Sequence, residues 1–193
     1  MKPRFNKLFI DVGVGSITSR QKEAWDRKKD FAIIGLEPSI GRYNTIKDVY
    51  PGRLLNVAAS DKDGELDCWE DMSGKHGVVA FKAAEHKGYG MKRVKKKTIR
   101  LDSLEWRGFN EIHIWADIEG SELIMLKGAT EMLLSKKVKW ILVEIRVSAP
   151  VGSDGWATAK KVYAFLNKYG FKPTINLDRL HPKKHRDVVF IPK

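Results

Sequence analysis

The chain has 193 residues, 42% of them hydrophobic and 31% charged, which suits one globular domain with a proper core. Lys and Arg total 36 against 24 Asp and Glu, and the formal charge of +12 is compatible with an anionic partner or with simple solubility. The single cysteine excludes an internal disulfide and favours the reducing cytoplasm, and no apolar run is long enough to span a bilayer.

A strand, a tight glycine loop and a helix are predicted at the start of the chain. The apolar run Leu8-Phe9-Ile10 ends at Asp11, and Gly13 and Gly15 follow. Such a loop presents bare backbone to a ligand at the carboxyl end of a strand. An acid before the first glycine would repel the pyrophosphate of a dinucleotide, but it would attract the ammonium and sulfonium groups of S-adenosylmethionine. Thr18 also replaces the third glycine of the dinucleotide fingerprint, so the loop favours S-adenosylmethionine over NAD.

The chain then alternates between apolar runs and segments with helical spacing. Strands are predicted over residues 31–36, 54–59, 98–101, 112–116, 140–143, 171–176 and 187–191, and helices over 18–30, 39–50, 122–136 and 157–169. This order predicts a doubly wound, Rossmann-like three-layer α/β domain over residues 1–193. Its sheet is expected to be mostly parallel, with an antiparallel closing strand pair.

An insertion at about residues 62–97 interrupts the alternation. Asp63-Gly64 is a turn signal, and residues 65–70 could pair with 78–81 as a hairpin. Residues 82–97 are basic and lack a sustained period, so they are predicted to form a long loop. The dense block Met91–Lys97 lies within it, and residues 183–186 form a second basic block. Neither block interleaves aromatic residues as a base-stacking surface would.

Four predicted strands end in an acid, namely Asp11, Glu37, Asp117 and Glu144. The carboxyl ends of parallel strands share one edge of a sheet, so these side chains are expected to line one crevice. Glu37 lies near the usual distance past the glycine turn for an acid that binds a ribose diol. Asp117, Glu119 and Glu144 could together hold a divalent cation, but no further ligand is in sight and no metal site is predicted.

Several segments follow one another in a recognisable order. They are Phe9-Ile10-Asp11-Val12-Gly13, Glu37-Pro38, Ala59-Ser60-Asp61-Lys62-Asp63-Gly64, Thr98-Ile99-Arg100-Leu101-Asp102-Ser103-Leu104, Asp117-Ile118-Glu119-Gly120-Ser121-Glu122-Leu123, Leu126-Lys127-Gly128-Ala129 and Val143-Glu144. Together they resemble the successive motifs of the FkbM family of S-adenosylmethionine-dependent methyltransferases. The resemblance covers about residues 9–145, and the D-x-E-G-x-E-x-x-x-L-K-G-A run is its most specific part.

The resemblance implies a class I methyltransferase fold and transfer of a methyl group to a hydroxyl of a sugar, polyketide or similar small molecule. It also implies a role for each matching residue. The implied cofactor contacts are Asp11, Gly13 and Gly15 for the methionine part, Glu37 and Pro38 for the ribose, Ala59, Ser60 and Asp61 for the adenine end, and Asp117 near the methyl group. Asp117 and Glu119 are the implied catalytic residues.

The chain departs from the family pattern at two places. Gly15 and Ile17 stand where the family usually has an asparagine and then a glycine, and Gly15 still suits a close backbone approach. Trp115 stands where a lysine is common, which affects the acceptor and the catalytic details. His113 alternates with apolar neighbours inside a predicted strand, so it is interpreted as structural rather than as a base.

Two alternative functions remain open at this point. The first is a ribose 2′-O-methyltransferase acting on RNA, in which the Met91–Lys97 block guides phosphates, although no two lysines complete the usual Lys-Asp-Lys-Glu set. The second is a non-catalytic binding module that retains the cofactor fold. In the leading hypothesis the acceptor is a small molecule or glycan, and residues 82–97 and 148–155 are expected to form the walls of its binding site.

Overall fold

The computed structural model describes residues 5–16, 19–71, 79–80, 91–118, 120–146, 154–175 and 185–193. The elements within these ranges follow the predicted alternation of strands and helices. In chain order they are β1 (Lys7–Val12), α1 (Ser19–Asp26), β2 (Phe31–Leu36), α2 (Ile40–Ile46), β3 (Arg53–Leu55), β4 (Ala58–Ala59), β5 (Gly64–Asp71), β6 (Val79–Ala80), β7 (Met91–Ile99), a 3-10 helix (Leu101–Ser103), β8 (Glu111–Ala116), α3 (Glu122–Lys127), α4 (Thr130–Leu134), β9 (Val138–Arg146), α5 (Asp154–Lys168), β10 (Phe171–Pro173) and β11 (His185–Pro192).

The main sheet has seven strands in the order β10-β11-β9-β8-β1-β2-β3. Each neighbouring pair from β9 to β3 is parallel, whereas β11 is antiparallel to both β9 and β10. The doubly wound, mostly parallel sheet with an antiparallel closing pair is therefore confirmed. The strand order reverses at β1, with β2 on one side and β8 on the other, and ligands of open α/β sheets bind at such a switch point.

Apolar residues on both faces of the sheet explain the three layers. Ile10 of β1 lies in one buried cluster with Leu126 of α3 and Leu166 of α5. Phe9, the preceding residue, points to the opposite face and packs in a second cluster with Trp25 of α1. Successive side chains of a strand point to opposite faces, so the continuously apolar β1 can be covered by helices on both sides.

A smaller sheet with the order β4-β7-β5-β6 contains the insertion. The prediction of a long loop over residues 82–97 is wrong for residues 91–97, because β7 pairs with β5 from Met91 to Thr98. The run of lysines shows no apolar alternation along the chain, so the sequence did not indicate a strand here. Lysines of β7 instead lie opposite acidic residues of β5. Lys95 lies opposite Asp67 and Lys97 opposite Glu65. Residues 72–78 and 81–90, including part of the expected acceptor wall, lie outside the described residues.

Two predicted elements are divided in the structure. The predicted strand 54–59 becomes β3 in the main sheet and β4 in the small sheet, so the chain crosses between sheets there. The predicted helix 122–136 becomes α3 and α4, which are separated at Gly128. A Cβ on Gly128 would lie 2.0 Å from the carbonyl oxygen of Ser60, and the Asp102 carboxylate accepts the N–H of Met132 at 2.8 Å in the first turn of α4. The apolar period continues through this break, so the period alone could not reveal it.

The last helix, α5, begins at Asp154, before the predicted start at residue 157. It ends at Lys168, one residue before the predicted end, and Gly170 follows with a φ of +84°, in the left-handed region that glycine adopts freely. None of the helices in the described ranges has the length and apolar character that crossing a membrane requires.

Candidate functional site

Three neighbouring strands of the main sheet end in one row. Val12 of β1 is in register with Leu36 of β2 and with Ala116 of β8. The next residues along these chains are Gly13, Glu37 and Asp117, so the sequence order at each strand end brings them to the same edge. The backbone also connects them: the Gly13 N–H donates to the Leu36 carbonyl at 2.9 Å, and the Asp117 N–H donates to the Val12 carbonyl at 3.1 Å.

The glycine turn has no room for a side chain at its first position. Gly13 has a φ of +80°, and a Cβ there would lie 2.3 Å from the Asp117 carbonyl oxygen. Gly15 has a φ of +63°, and a Cβ there would lie 3.1 Å from the guanidinium of Arg42. Both positions need glycine, the first for space and conformation and the second chiefly for conformation. The close approach at Gly13 is made by the backbone of Asp117, the residue that follows β8.

Glu37 is buried beside this turn, with 3% of its surface exposed. Its Oε2 accepts the N–H of Gly15 and its Oε1 accepts the N–H of Ser39, each at 2.7 Å. Burial raises the pKa of Glu37, while these two hydrogen bonds and the charge of Arg42 act in the opposite direction. Each carboxylate oxygen keeps a second lone pair for a further donor. Pro38, which is half-buried, connects Glu37 to Ser39.

Asp11 lies within β1 rather than beyond its end. Its Oδ2 accepts the indole N–H of Trp25 at 3.1 Å and the hydroxyl of Tyr50 at 3.3 Å, and only 3% of the residue is exposed. Burial raises its pKa to about 6, and the charge of Asp117 contributes. Gly35 makes room for this cluster, because a Cβ there would lie 2.5 Å from the Tyr50 ring. Asp11 therefore joins β1 to α1 and to the segment after α2, and its contact with a cofactor stays a prediction.

The predicted adenine-end residues lie where the chain crosses to the small sheet. Ala59 and Ser60 are buried, and the Ser60 hydroxyl donates to the half-buried carboxylate of Asp61 at 3.3 Å. Asn56 connects this segment to the end of β2, because its side-chain amide donates to the Glu37 carbonyl at 2.7 Å. The sequence reasoning missed Asn56, which stands in no pattern that would distinguish it.

The loop from β8 to α3 carries the predicted catalytic residues. Asp117 is exposed, whereas Glu119 lies outside the described residues. Glu122 is 3% exposed, and its Oε1 accepts the N–H of Gly120 at 3.1 Å. Burial raises the pKa of Glu122 to about 7. Glu122 belongs to the D-x-E-G-x-E run, but the spacing gave no reason to assign it a separate role.

His113 and Trp115 point away from this edge, toward the layer of α1. The Nδ1 atom of His113 accepts a hydrogen bond from the Lys28 ammonium at 2.7 Å, and Nε2 donates to Glu111 at 2.8 Å. Burial, together with the charge of Lys28, lowers the pKa of His113 to about 4. Trp115 is buried and packs edge-on against Phe9. The interpretation of His113 as structural agrees with this position.

Glu144 follows Val143, the residue in register with Ala116, so it lies next to Asp117 in the row of strand ends. It also sits inside β9, opposite Asp187 of β11. In the part of the chain that the structure describes, no three His, Cys, Asp or Glu side chains are placed to hold a metal ion.

The doubly wound sheet carries a glycine turn and a row of acids at the edge where its strand order reverses. The FkbM methyltransferase domain model matches residues 11–173, and the chain belongs to this family. Among solved structures, it is similar to the precorrin-6y C5,15-methyltransferase from Geobacter metallireducens GS-15, with 15% identity and a TM-score of 0.44 over 100% of this chain and 84% of the other. The comparison with curated proteins gave no match. Membership of the family supports methyl transfer as the class of activity.

Proposed function

We propose that this protein transfers the methyl group of S-adenosylmethionine to a hydroxyl oxygen of a sugar or another small molecule. The observation that carries the proposal is the row of strand ends, in which Gly13 is flanked by Glu37 on one side and Asp117 on the other. The proposal also places the enzyme in the cytoplasm, where Cys68 stays a thiol.

The residues at this edge fit the cofactor by their chemistry. Glu37 is held by two backbone N–H groups at 2.7 Å, and its remaining lone pairs can accept the two hydroxyls of a ribose. In the proposed arrangement Ser60 and Asp61 receive the adenine end, and Asp117 faces the sulfonium. The bound cofactor supplies an electrophilic methyl group, and the protein aligns it with the acceptor, since in-line displacement depends on such alignment.

A hydroxyl acceptor also needs a group that takes its proton. Asp117 is the exposed acid at the end of β8 and is assigned this role, with Glu119 as the second candidate. Bound S-adenosylmethionine would supply the methyl group, and its sulfur would keep the electron pair of the broken C–S bond as the acceptor oxygen bonds to the methyl carbon. The carboxylate would take the hydroxyl proton, and S-adenosylhomocysteine and the methyl ether would be the products.

Two cations of β7 are already paired with acids, which weakens the case for an RNA substrate. Arg93 of β7 forms an ion pair with Asp67 at 2.6 Å, and Lys96 forms a largely buried one with Glu70 at 2.8 Å. Cations already paired with acids have less to gain from phosphates, which favours the small-molecule or glycan acceptor.

A turnover screen tests the proposal. The purified protein is incubated with S-adenosylmethionine and panels of glycans, hydroxylated metabolites and RNA, and S-adenosylhomocysteine release is measured. We expect turnover with a hydroxylated small molecule, and Asp117→Asn should lower kcat by about 10²–10⁴ while it still binds S-adenosylhomocysteine. The exposed Asp26→Asn variant is the control. Turnover with RNA alone, or an Asp117→Asn variant with full activity, would contradict the assignment.

A further inference from the structure

Glu122 is the first residue of α3, and its carboxylate holds the loop that precedes the helix. The described residues between β8 and α3 are Asp117, Ile118, Gly120 and Ser121. The Gly120 N–H donates to Oε1 at 3.1 Å, and the N–H groups of Ile118 and of Glu122 itself also stabilise the charged form of the carboxyl. Several backbone N–H groups thus converge on one buried carboxylate, as they do where a backbone nest binds an anion.

Burying the Glu122 carboxylate costs more folding free energy than is needed to cap a short helix. Burial, with a smaller contribution from the charge of Asp117, raises the pKa of Glu122 to about 7. Ser121 occupies the N-cap position of α3, where a serine hydroxyl can cap a helix without burying a charge, yet its side chain makes no capping hydrogen bond. The buried Glu122 carboxylate therefore stabilises the conformation of the loop as well as the start of the helix.

The loop that Glu122 holds carries Asp117 and borders the glycine turn. The Asp117 N–H is fixed to the Val12 carbonyl at 3.1 Å, and its carbonyl oxygen fills the space where Gly13 would carry a Cβ. The backbone of Asp117 is thus hydrogen-bonded to β1, and the loop that follows Asp117 is hydrogen-bonded to the Glu122 carboxylate.

We propose that Glu122 is a positioning residue that directs the Asp117 carboxylate to the sulfonium end of the cofactor. The inference rests on the function proposed above, because it assumes that S-adenosylmethionine occupies the crevice. The sulfur is positively charged in S-adenosylmethionine and neutral in S-adenosylhomocysteine, so a well-placed Asp117 strengthens binding of the first ligand only. Glu122 strengthens the preference for S-adenosylmethionine over S-adenosylhomocysteine by positioning Asp117, and it does not contact the ligand.

A double-mutant cycle measures this indirect action. Titration calorimetry gives the ratio of the affinities for S-adenosylmethionine and S-adenosylhomocysteine in the wild type, Glu122→Ala, Asp117→Asn and the double variant. We expect each single variant to lower the ratio by about tenfold, and the double variant to lower it no further. Glu131→Gln is the matched control, because Glu131 is also in the first turn of a helix but pairs with Arg107 at the surface.

Two conservative variants separate geometry from charge and serve if Glu122→Ala does not fold. Glu122→Gln keeps an acceptor for the Gly120 N–H, so its ratio should stay within about threefold of wild type. Glu122→Asp keeps the charge but withdraws it from the loop, so its ratio should fall. The reverse order of these two variants, additive losses in the cycle, or an unchanged ratio in Glu122→Ala would overturn the inference and leave the proposed function standing. A wild-type protein that binds neither ligand would overturn both.

Discussion

Three buried carboxyl groups surround the edge at which the site is proposed. Asp11, Glu37 and Glu122 are each 3% exposed, and burial raises the pKa of every one of them. Each is held by two or more hydrogen-bond donors, but a buried charge still costs stability in the absence of a cation. A sulfonium ligand would offset part of that cost, so the electrostatics of individual residues suit the proposed cofactor.

At the residue scale, Asp11→Asn should stabilise the protein above pH 7. The amide oxygen can still accept from Trp25 and Tyr50, while the buried charge is removed. A carboxyl whose pKa rises from 3.8 to about 6 on folding loses stability as the pH increases between those values. The gain at pH 8 should be about 2–3 kcal/mol in the free energy of unfolding. Urea denaturation at pH 4 and pH 8 measures it.

The outcome also distinguishes the two roles of Asp11. The surface variant Asp26→Asn should show no such gain. If Asp11→Asn is no more stable than wild type at pH 8, hydrogen bonds stabilise the Asp11 carboxylate more than its burial indicates. If it is stabilised but binds S-adenosylmethionine more weakly, Asp11 contributes to the cofactor as the sequence predicts, in addition to joining β1 to α1.

At the element scale, the glycine turn depends on contact between the ends of β1 and β8. Gly13→Ala adds a Cβ 2.3 Å from the Asp117 carbonyl oxygen at a φ of +80°. The variant should lose about 2–4 kcal/mol of stability or displace the loop that carries Asp117, because neither backbone can yield without breaking the pairing. Gly108→Ala is the control, since a Cβ at Gly108 has no heavy atom within 4 Å.

Thermal unfolding with and without S-adenosylhomocysteine measures both consequences. Gly108→Ala should match wild type in both conditions. A Gly13→Ala variant that is as stable and as readily stabilised by the ligand as Gly108→Ala would show that the two strand ends are not in close contact.

Sequence patterns predicted the elements that build the site, because those patterns are local. Apolar runs with an acid at the end gave β1, β2 and β8, and the row of Glu37 and Asp117 then follows from parallel pairing. Contacts between distant segments left no such signal. Trp25 and Tyr50 are 14 and 39 residues from Asp11, and nothing near Asp11 indicates them. In β7, charge matching across the ladder replaced the apolar alternation that reveals a strand.

At the scale of the whole molecule, the dependence of stability on pH combines opposing groups. Raised pKa values at Asp11 and Glu122 favour folding as the pH falls toward 4. His113 acts in the other direction, because its pKa falls from 6.5 to about 4 on folding. As the pH falls, His113 takes up its proton in the unfolded chain before it does so in the folded protein. The stability that neutral His113 contributes is therefore complete above pH 6.5 and is lost as the pH falls toward 4.

His113→Gln should remove this loss on acidification. Glutamine offers an acceptor to Lys28 and a donor to Glu111, so the contacts can be retained without a titrating group. The free energy of unfolding of the variant should fall less than that of wild type between pH 6.5 and 4, by about 3 kcal/mol. Urea denaturation across this range measures the difference, and identical slopes for the two proteins would contradict it.

The measurement that tests the central claim most directly is calorimetric titration of the wild type and Glu37→Gln with S-adenosylmethionine. We expect the wild type to bind one equivalent, and Glu37→Gln to bind about 10–100-fold more weakly, because the ribose hydroxyls lose a charged acceptor. Glu105→Gln, at an exposed residue paired with Arg53, should bind as wild type does. Absence of binding to the wild type, or equal binding by Glu37→Gln, would contradict the account.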